Sequence, residues 1–303
     1  MPDSVDFGAD LSLAQREQAY SPSSCIGGDY RPFVREYATR SAEALQSNAA
    51  PRNLAYGALA SNTLDLFLPA SNSAAGSDLP ALLVFIHGGY WQELSKNESL
   101  FAANDCIAAG AAFAALDYTL APQATVEQMV LECRAALRWL HAHADALGFD
   151  ARRIIVAGSS AGAHLAAMCC LRGWPDDADL PARLPSAVVL VSGIYELAPL
   201  RGTSIDAALT LTEQAAAGAS PIRFDVKDFP PALVCWGEVE TDVFKAQSRL
   251  FARAIGAAKG EPPLEFEVPG RNHFDVILDL ARAGTALGDG TLVLLRQAAS
   301  GSG

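Results

Sequence analysis

The 303-residue sequence is poor in basic side chains: 22 Lys and Arg stand against 34 Asp and Glu, a formal net charge of −12. Nucleic acids and anionic membrane surfaces are held by a concentrated positive footprint, so neither is an expected partner. The sequence also lacks an uninterrupted apolar run long enough to span a bilayer. Its N-terminal stretch, MPDSVDFGADLSLAQREQ, has no basic n-region and no apolar h-region, so no secretory signal is expected. Among its cysteines, Cys25, Cys106, Cys133, Cys169, Cys170 and Cys235, there is no CxxC pair. The spacing forms no disulfide framework, and Cys169 and Cys170 fall in an apolar helical run, so free buried thiols are expected. These absences point to a soluble protein of a reducing compartment, the cytoplasm.

What is present is apolar residue in quantity. Hydrophobic residues make up 50% and charged residues 18%, enough for a sizeable core and too apolar for long disorder. From about Leu64 short apolar runs alternate with helical stretches. LDLFLP, ALLVFI (81–86), AAFAALDY (111–118), RRIIVAG (152–158), AVVLVSG (187–193), PALVCWG (231–237) and LEFEVPG (264–270) read as strands. VEQMVLECRAALRWLHAHADAL and AGAHLAAMCCLR have helical apolar spacing. Continuous apolar strands separated by helices predict an α/β fold, a mostly parallel sheet covered on both faces. No repeat and no rich linker divides the chain. Residues 71–79 read as a surface loop, residues 1–50 as a polar helical arm packed on the core, and residues 51–303 as the body that carries the sheet.

One strand, RRIIVAG, runs into GSSAG and then a helix. GxSxG is short, but strand, tight turn and helix is the setting of a nucleophile elbow, with Ser160 at its centre. The strained turn needs small neighbours, which Gly158, Ala161 and Gly162 supply. The alternative is an ordinary turn with a serine N-cap. A hydroxyl attacks well only when a base removes its proton. Of the histidines, His141 and His143 fall on the polar side of a long helix, and His164, one turn past Ser160, reads as a packing or hydrogen-bonding residue. His273, in PGRNHFDVI after the last strand, occupies the place of the base in the chain order serine, acid, histidine. The acid should follow PALVCW, where GEVETDVFKAQ offers Glu238, Glu240 and Asp242. Asp242 suits the N-cap of the following helix, which leaves Glu240 to orient the imidazole.

The stretch ALLVFIHGGYWQ then acquires a purpose. Acyl transfer builds negative charge on an oxygen, and preorganised N–H donors must meet it. Ala161 supplies one amide; Gly88 and Gly89 supply others because a backbone without side chains can approach closely. His87 is expected to brace this loop, and Tyr90 and Trp91 to wall the substrate pocket. No HExxH pattern or Cys/His ligand cluster is present, and the chemistry needs neither metal nor cofactor.

Together these residues resemble the serine-type arylformamidases, also called kynurenine formamidases, of the α/β-hydrolase fold. The resemblance runs through QAYSPSS, LDLFLP, FIHGGYWQ, DYTLAP, GSSAGAHLAAM, SGIYELAPL, ASPI, WGEVETDVFKAQS and NHFDVI. It implies that Ser160, Glu240 and His273 occupy the family's triad positions. It implies further that an aryl formamide such as N-formyl-L-kynurenine is cleaved to the arylamine and formate through a formyl-serine, as in tryptophan catabolism. Many members carry histidine where Ser159 stands and aspartate where Glu240 stands, departures that bear on substrate range. Relatives of the family include broad carboxylesterases and carbamate or amide hydrolases, which form the alternative reading with the same triad. A non-catalytic binding protein of this fold would have lost the serine or the histidine, and this chain keeps both. The implied partner is a small-molecule substrate; a homodimer is left open.

Overall fold

A computed structural model describes residues 7, 8, 10–70, 79–181 and 183–297, so all but the last residue of the loop expected at 71–79 lies outside the described residues. The strands are β1 (Arg52–Ala55), β2 (Thr63–Phe67), β3 (Leu82–Ile86), β4 (Ala112–Leu116), β5 (Ile154–Ser159), β6 (Ala187–Val191), β7 (Ala232–Val239) and β8 (Leu264–Asn272). They form one eight-stranded sheet in the order β1-β2-β4-β3-β5-β6-β7-β8. β1 pairs antiparallel to β2 and β2 to β4, and the remaining pairs are parallel. This is the mostly parallel sheet that the apolar runs predict. Every side chain of β3, β4 and β6 is buried, as a strand covered on both faces requires. β1 was not apparent in the sequence: RNLA is short and largely exposed, an edge strand with no apolar alternation.

The helices are α1 (Leu13–Ala19), α2 (Arg31–Ser47), α3 (Ala103–Ala108), α4 (Val126–Leu147), α5 (Ala161–Cys170), α6 (Asp206–Leu209), α7 (Glu213–Gly218), α8 (Asp242–Lys259) and α9 (Ala286–Gln297). Successive strand residues point to opposite faces, so the sheet feeds two cores. Leu82, Val84 and Ile86 of β3 enter one together with residues of α4, α5 and α8. Leu83 and Phe85 enter the other with residues of α2, α3 and α9. Each fully buried Leu, Val or Phe contributes roughly 1.5–3 kcal/mol. α4 is delimited by its own sequence: Thr125 and Gln128 form a capping box at the start, and Gly148, in the left-handed region, ends it. All of α5 is buried, which is why its sequence is apolar on every side.

The residues before β1 contribute no strand among the described residues; they form α1, a short 3₁₀ turn at Pro22–Ile26 and α2. Arg16 on α1 donates to the carbonyls of Pro199 (2.8 Å) and Arg201 (2.9 Å). Glu17 accepts from the Ser204 amide (2.6 Å) and hydroxyl (2.7 Å). On α2, Ser41 accepts from the Leu100 amide at 2.9 Å and the Tyr37 hydroxyl donates to the Phe274 carbonyl. These bonds lay the segment across the edge of the sheet where the parallel strands end, the edge at which open α/β sheets place their ligands.

Candidate active site

Ser160 follows β5 directly and adopts φ 55°, ψ −121°, a conformation that costs a non-glycine residue of order 1–3 kcal/mol. Its amide donates to the Val191 carbonyl at 2.9 Å and its carbonyl accepts from the His164 amide at 3.1 Å, which fix the turn between strand and helix. The small neighbours are a steric requirement. A β-carbon on Gly162 would lie 2.0 Å from the Ile86 carbonyl oxygen, because α5 starts against the end of β3. The turn has the strand–turn–helix geometry of a nucleophile elbow; Ser160 stands at the N-cap position of α5, but its side chain makes no capping bond.

The ends of β7 and β8 bring Glu240 and His273 together. His273 Nδ1 lies 3.0 Å from Glu240 Oε2, with both side chains buried. Glu240 Oε1 accepts from the Ser192 hydroxyl at 2.5 Å and from the Gly237 amide at 2.6 Å. The imidazole packs edge-on against Phe244 and Phe274. Of the rival carboxylates, Glu238 accepts from the Gly270 amide at 2.7 Å. Asp242 is the first residue of α8 and not its N-cap, correcting the capping role expected of it. The N-cap is Thr241, whose hydroxyl donates to the Ala19 carbonyl at 2.7 Å and so ties α8 to the N-terminal segment.

The loop after β3 closes the site on another side. A β-carbon on Gly88 would stand 2.8 Å from the Ser159 carbonyl oxygen, and one on Gly89, at φ 90°, 2.4 Å from the Glu93 carbonyl oxygen. The Gly89 carbonyl accepts from the amides of Gln92 (2.9 Å) and Glu93 (3.0 Å). His87 does brace the loop: its Nδ1 bonds the Gly88 carbonyl at 2.9 Å and its ring stacks on Tyr118 at 4.5 Å. Burial lowers the pKa of His87 to about 4, so it is neutral near pH 7 and donates from Nδ1.

Ser160, His273, Gly88, Gly89 and Tyr90 line one cavity of about 400 Å³. Ala161 is buried beside it at the start of α5. Trp91 does not line the cavity, contrary to the sequence reading. At φ 60° the backbone turns its side chain inward; the indole is fully buried and its N–H donates to His164 Nδ1 at 3.3 Å. His164 in turn bonds the Ala219 carbonyl through Nε2 at 2.6 Å, the packing role expected of it. The N-terminal segment lines the cavity through Glu17, Tyr20, Ser23, Tyr30 and Tyr37, where the sequence suggests only that the arm around Tyr20 covers the leaving group. Among the described residues no group of three or more His, Cys, Asp or Glu is placed to hold a metal ion, and no helix is long and apolar enough to cross a membrane.

Sheet, elbow and buried Glu–His pair define a hydrolase of the α/β-hydrolase fold. The BD-FAE family pattern matches residues 64–255. The kynurenine formamidase of Danio rerio is 30% identical over 279 residues, covering 89% of this chain and 90% of that protein. The Mycobacterium tuberculosis esterase LipC is 30% identical over 221 residues, 67% of this chain and 55% of that protein. A crystal structure of a Silicibacter protein assigned as a thioesterase superposes with a TM-score of 0.74 at 26% identity, over 92% of this chain and 98% of that one. The chain belongs to the BD-FAE family of α/β-hydrolases and is a kynurenine formamidase-like hydrolase of ester or amide substrates.

Proposed function

We propose that the protein hydrolyses aryl formamides, N-formyl-L-kynurenine among them, to the arylamine and formate. The observation that carries this reading is the His273–Glu240 pair buried beside the Ser160 elbow in a cavity walled by aromatic rings. Glu240 holds Nδ1, which leaves Nε2 to take the Ser160 proton. The Ser160 oxygen attacks the formyl carbon, and the oxyanion is met by the amides of Gly88, Gly89 and Ala161. The carbon–nitrogen bond breaks as His273 returns the proton to the leaving arylamine. A water then gives its proton to His273, attacks the formyl-serine and releases formate.

The lining supports an aryl leaving group: Tyr30, Tyr37, Phe85, Phe101 and Phe274 offer faces and edges to a ring. It also holds Glu17, Glu93 and Glu98, and no lysine or arginine among its described residues. The ammonium of an amino-acid leaving group therefore has carboxylate partners within the cavity, whereas its carboxylate has no cationic one. The likeness to the Danio rerio kynurenine formamidase supports the same substrate class.

A second reading, a carboxylesterase using the same triad, is favoured by the likeness to LipC. Steady-state kinetics on N-formyl-L-kynurenine, its N-acetyl analogue and p-nitrophenyl butyrate separate the two. The formamide should show the highest kcat/KM, since each methylene wrongly accommodated changes binding by roughly 1–3 kcal/mol. A wide lead for the butyrate ester with scant turnover of the formamide would establish the esterase reading instead.

A further inference from the structure

Ser192 is fully buried at the end of β6, with its amide donating to the Cys235 carbonyl at 2.8 Å. It is not glycine, yet its φ is 52°, in the left-handed region that disfavours side chains. The next residue is Gly193, so the chain has a glycine at hand and places it one position later. What serine adds over glycine at position 192 is a hydroxymethyl group, whose hydroxyl donates to Glu240 Oε1 at 2.5 Å. The Gly237 amide donates to the same oxygen at 2.6 Å, while Oε2 faces His273 Nδ1 at 3.0 Å. The carboxylate is thus divided: one oxygen is clamped by two donors from neighbouring strands, and the other is left for the imidazole. The Gly237 amide alone can hold Oε1 in place but leaves the carboxyl free to pivot about it; a second donor from a different strand fixes its plane.

We infer that Ser192 is a positioning residue that sets the orientation of Glu240, and through it that of His273. The inference rests on the reading of Glu240 as the acid of the triad. Ser192 does not line the cavity, so its effect falls on the chemical step and not on substrate binding.

The test uses Ser192→Ala, Ser192→Gly, Glu240→Gln and the double variant Ser192→Gly/Glu240→Gln, with kcat and KM measured for each alongside thermal melting. Ser192→Gly is the informative control, because glycine is favoured at this φ and that relief offsets part of the stability lost with the hydrogen bond, while thermal melting verifies that the variant is folded. Both single changes at 192 should lower kcat by about ten- to a hundredfold, the range of a hydrogen bond to a charged group, with KM unchanged. In the Glu240→Gln background the Ser192→Gly change should lower kcat no further, since the residue it positions is already disabled. Parental kcat in Ser192→Gly, a rise in KM in place of a fall in kcat, or full additivity with Glu240→Gln overturns the role of Ser192 and leaves Glu240 intact. Parental kcat in Glu240→Gln alone overturns the reading of Glu240, and this inference with it.

Discussion

The Tyr90 hydroxyl donates to the main-chain carbonyl of Tyr20, joining the glycine loop after β3 to the N-terminal segment 70 residues earlier in the chain. Tyr20 is itself buried, its hydroxyl donating to the Phe7 carbonyl at 2.8 Å and accepting from Gln247 at 3.0 Å. Gln247 on α8 also accepts from the amides of Tyr195 and Glu196. The glycine loop, the N-terminal segment and α8 therefore share one hydrogen-bonded network around the cavity.

Removing the Tyr90 hydroxyl should loosen that network. Tyr90→Phe keeps the ring, so the expected loss is about 1 kcal/mol of stability, with faster tryptic cleavage at Arg16 or Arg31 and a severalfold lower kcat. Urea unfolding, limited proteolysis and kinetics on one preparation check all three. Parental behaviour in each would show that the contact is incidental.

The two carboxylates after β7 should separate cleanly. Glu240→Gln leaves the shape of the site and removes the charge that stabilises an imidazolium, so kcat should fall by about two to four orders of magnitude. Asp242→Asn changes only a favourable charge in the first turn of α8, worth about 0.3–1 kcal/mol of stability. An inactive Asp242→Asn beside an active Glu240→Gln would reverse the assignment.

The Gly88 position is equally exposed to test. In Gly88→Ala the new methyl would meet the Ser159 carbonyl oxygen at 2.8 Å and the Ser160 β-carbon at 3.2 Å. The loop must move, and its amides with it. We expect kcat to drop by about 10²–10³, the usual effect of disabling an oxyanion donor, with the fold retained by circular dichroism. Unchanged kcat would remove these amides from the mechanism.

Stability should depend on pH through two of the buried histidines, His87 and His164. Burial is the largest cause of the low pKa of both His87 and His164, about 4 in each case against an ordinary 6.5. Below pH 6.5 the unfolded chain binds protons that the folded one refuses until about pH 4, so stability is complete above pH 6.5 and falls as the pH drops through that window. The loss amounts to about 2–3 kcal/mol per histidine by pH 4. Urea unfolding at pH 7.5 and 5.0 measures it. His164→Gln, although less stable at pH 7.5, should lose less on acidification; an unaltered pH dependence in that variant would show that His164 is not one of the titrating groups.

The central strands β3 to β6 are legible because strands buried on both faces are written as short apolar runs, and VEQMVLECRAALRWLHAHADAL coincides with α4 because its apolar residues recur at helical spacing. The Ser160 elbow and the Glu240 and His273 positions could be read for a similar reason, since each lies directly after a recognisable strand. What could not be read depends on distant chain. RNLA gains its strand character from pairing with β2. Trp91 was placed in the pocket because nothing local shows that a left-handed backbone turns it toward His164. The sequence favours Asp242 as the cap because nothing local shows that α8 is entered one residue earlier, at Thr241. Ser192 lay unnoticed at the end of AVVLVSG, where the sequence shows a strand terminus and not the carboxylate beside it.

Covalent capture tests the central claim, that Ser160 is a nucleophile activated by His273, most directly. The folded protein is incubated with a fluorophosphonate and the adduct is mapped by peptide mass spectrometry, alongside Ser160→Ala and His273→Ala. The account predicts a single adduct on the peptide containing Ser160, absent in Ser160→Ala and formed far more slowly in His273→Ala. An adduct on any other residue, or hydrolytic activity that survives in Ser160→Ala, would contradict it.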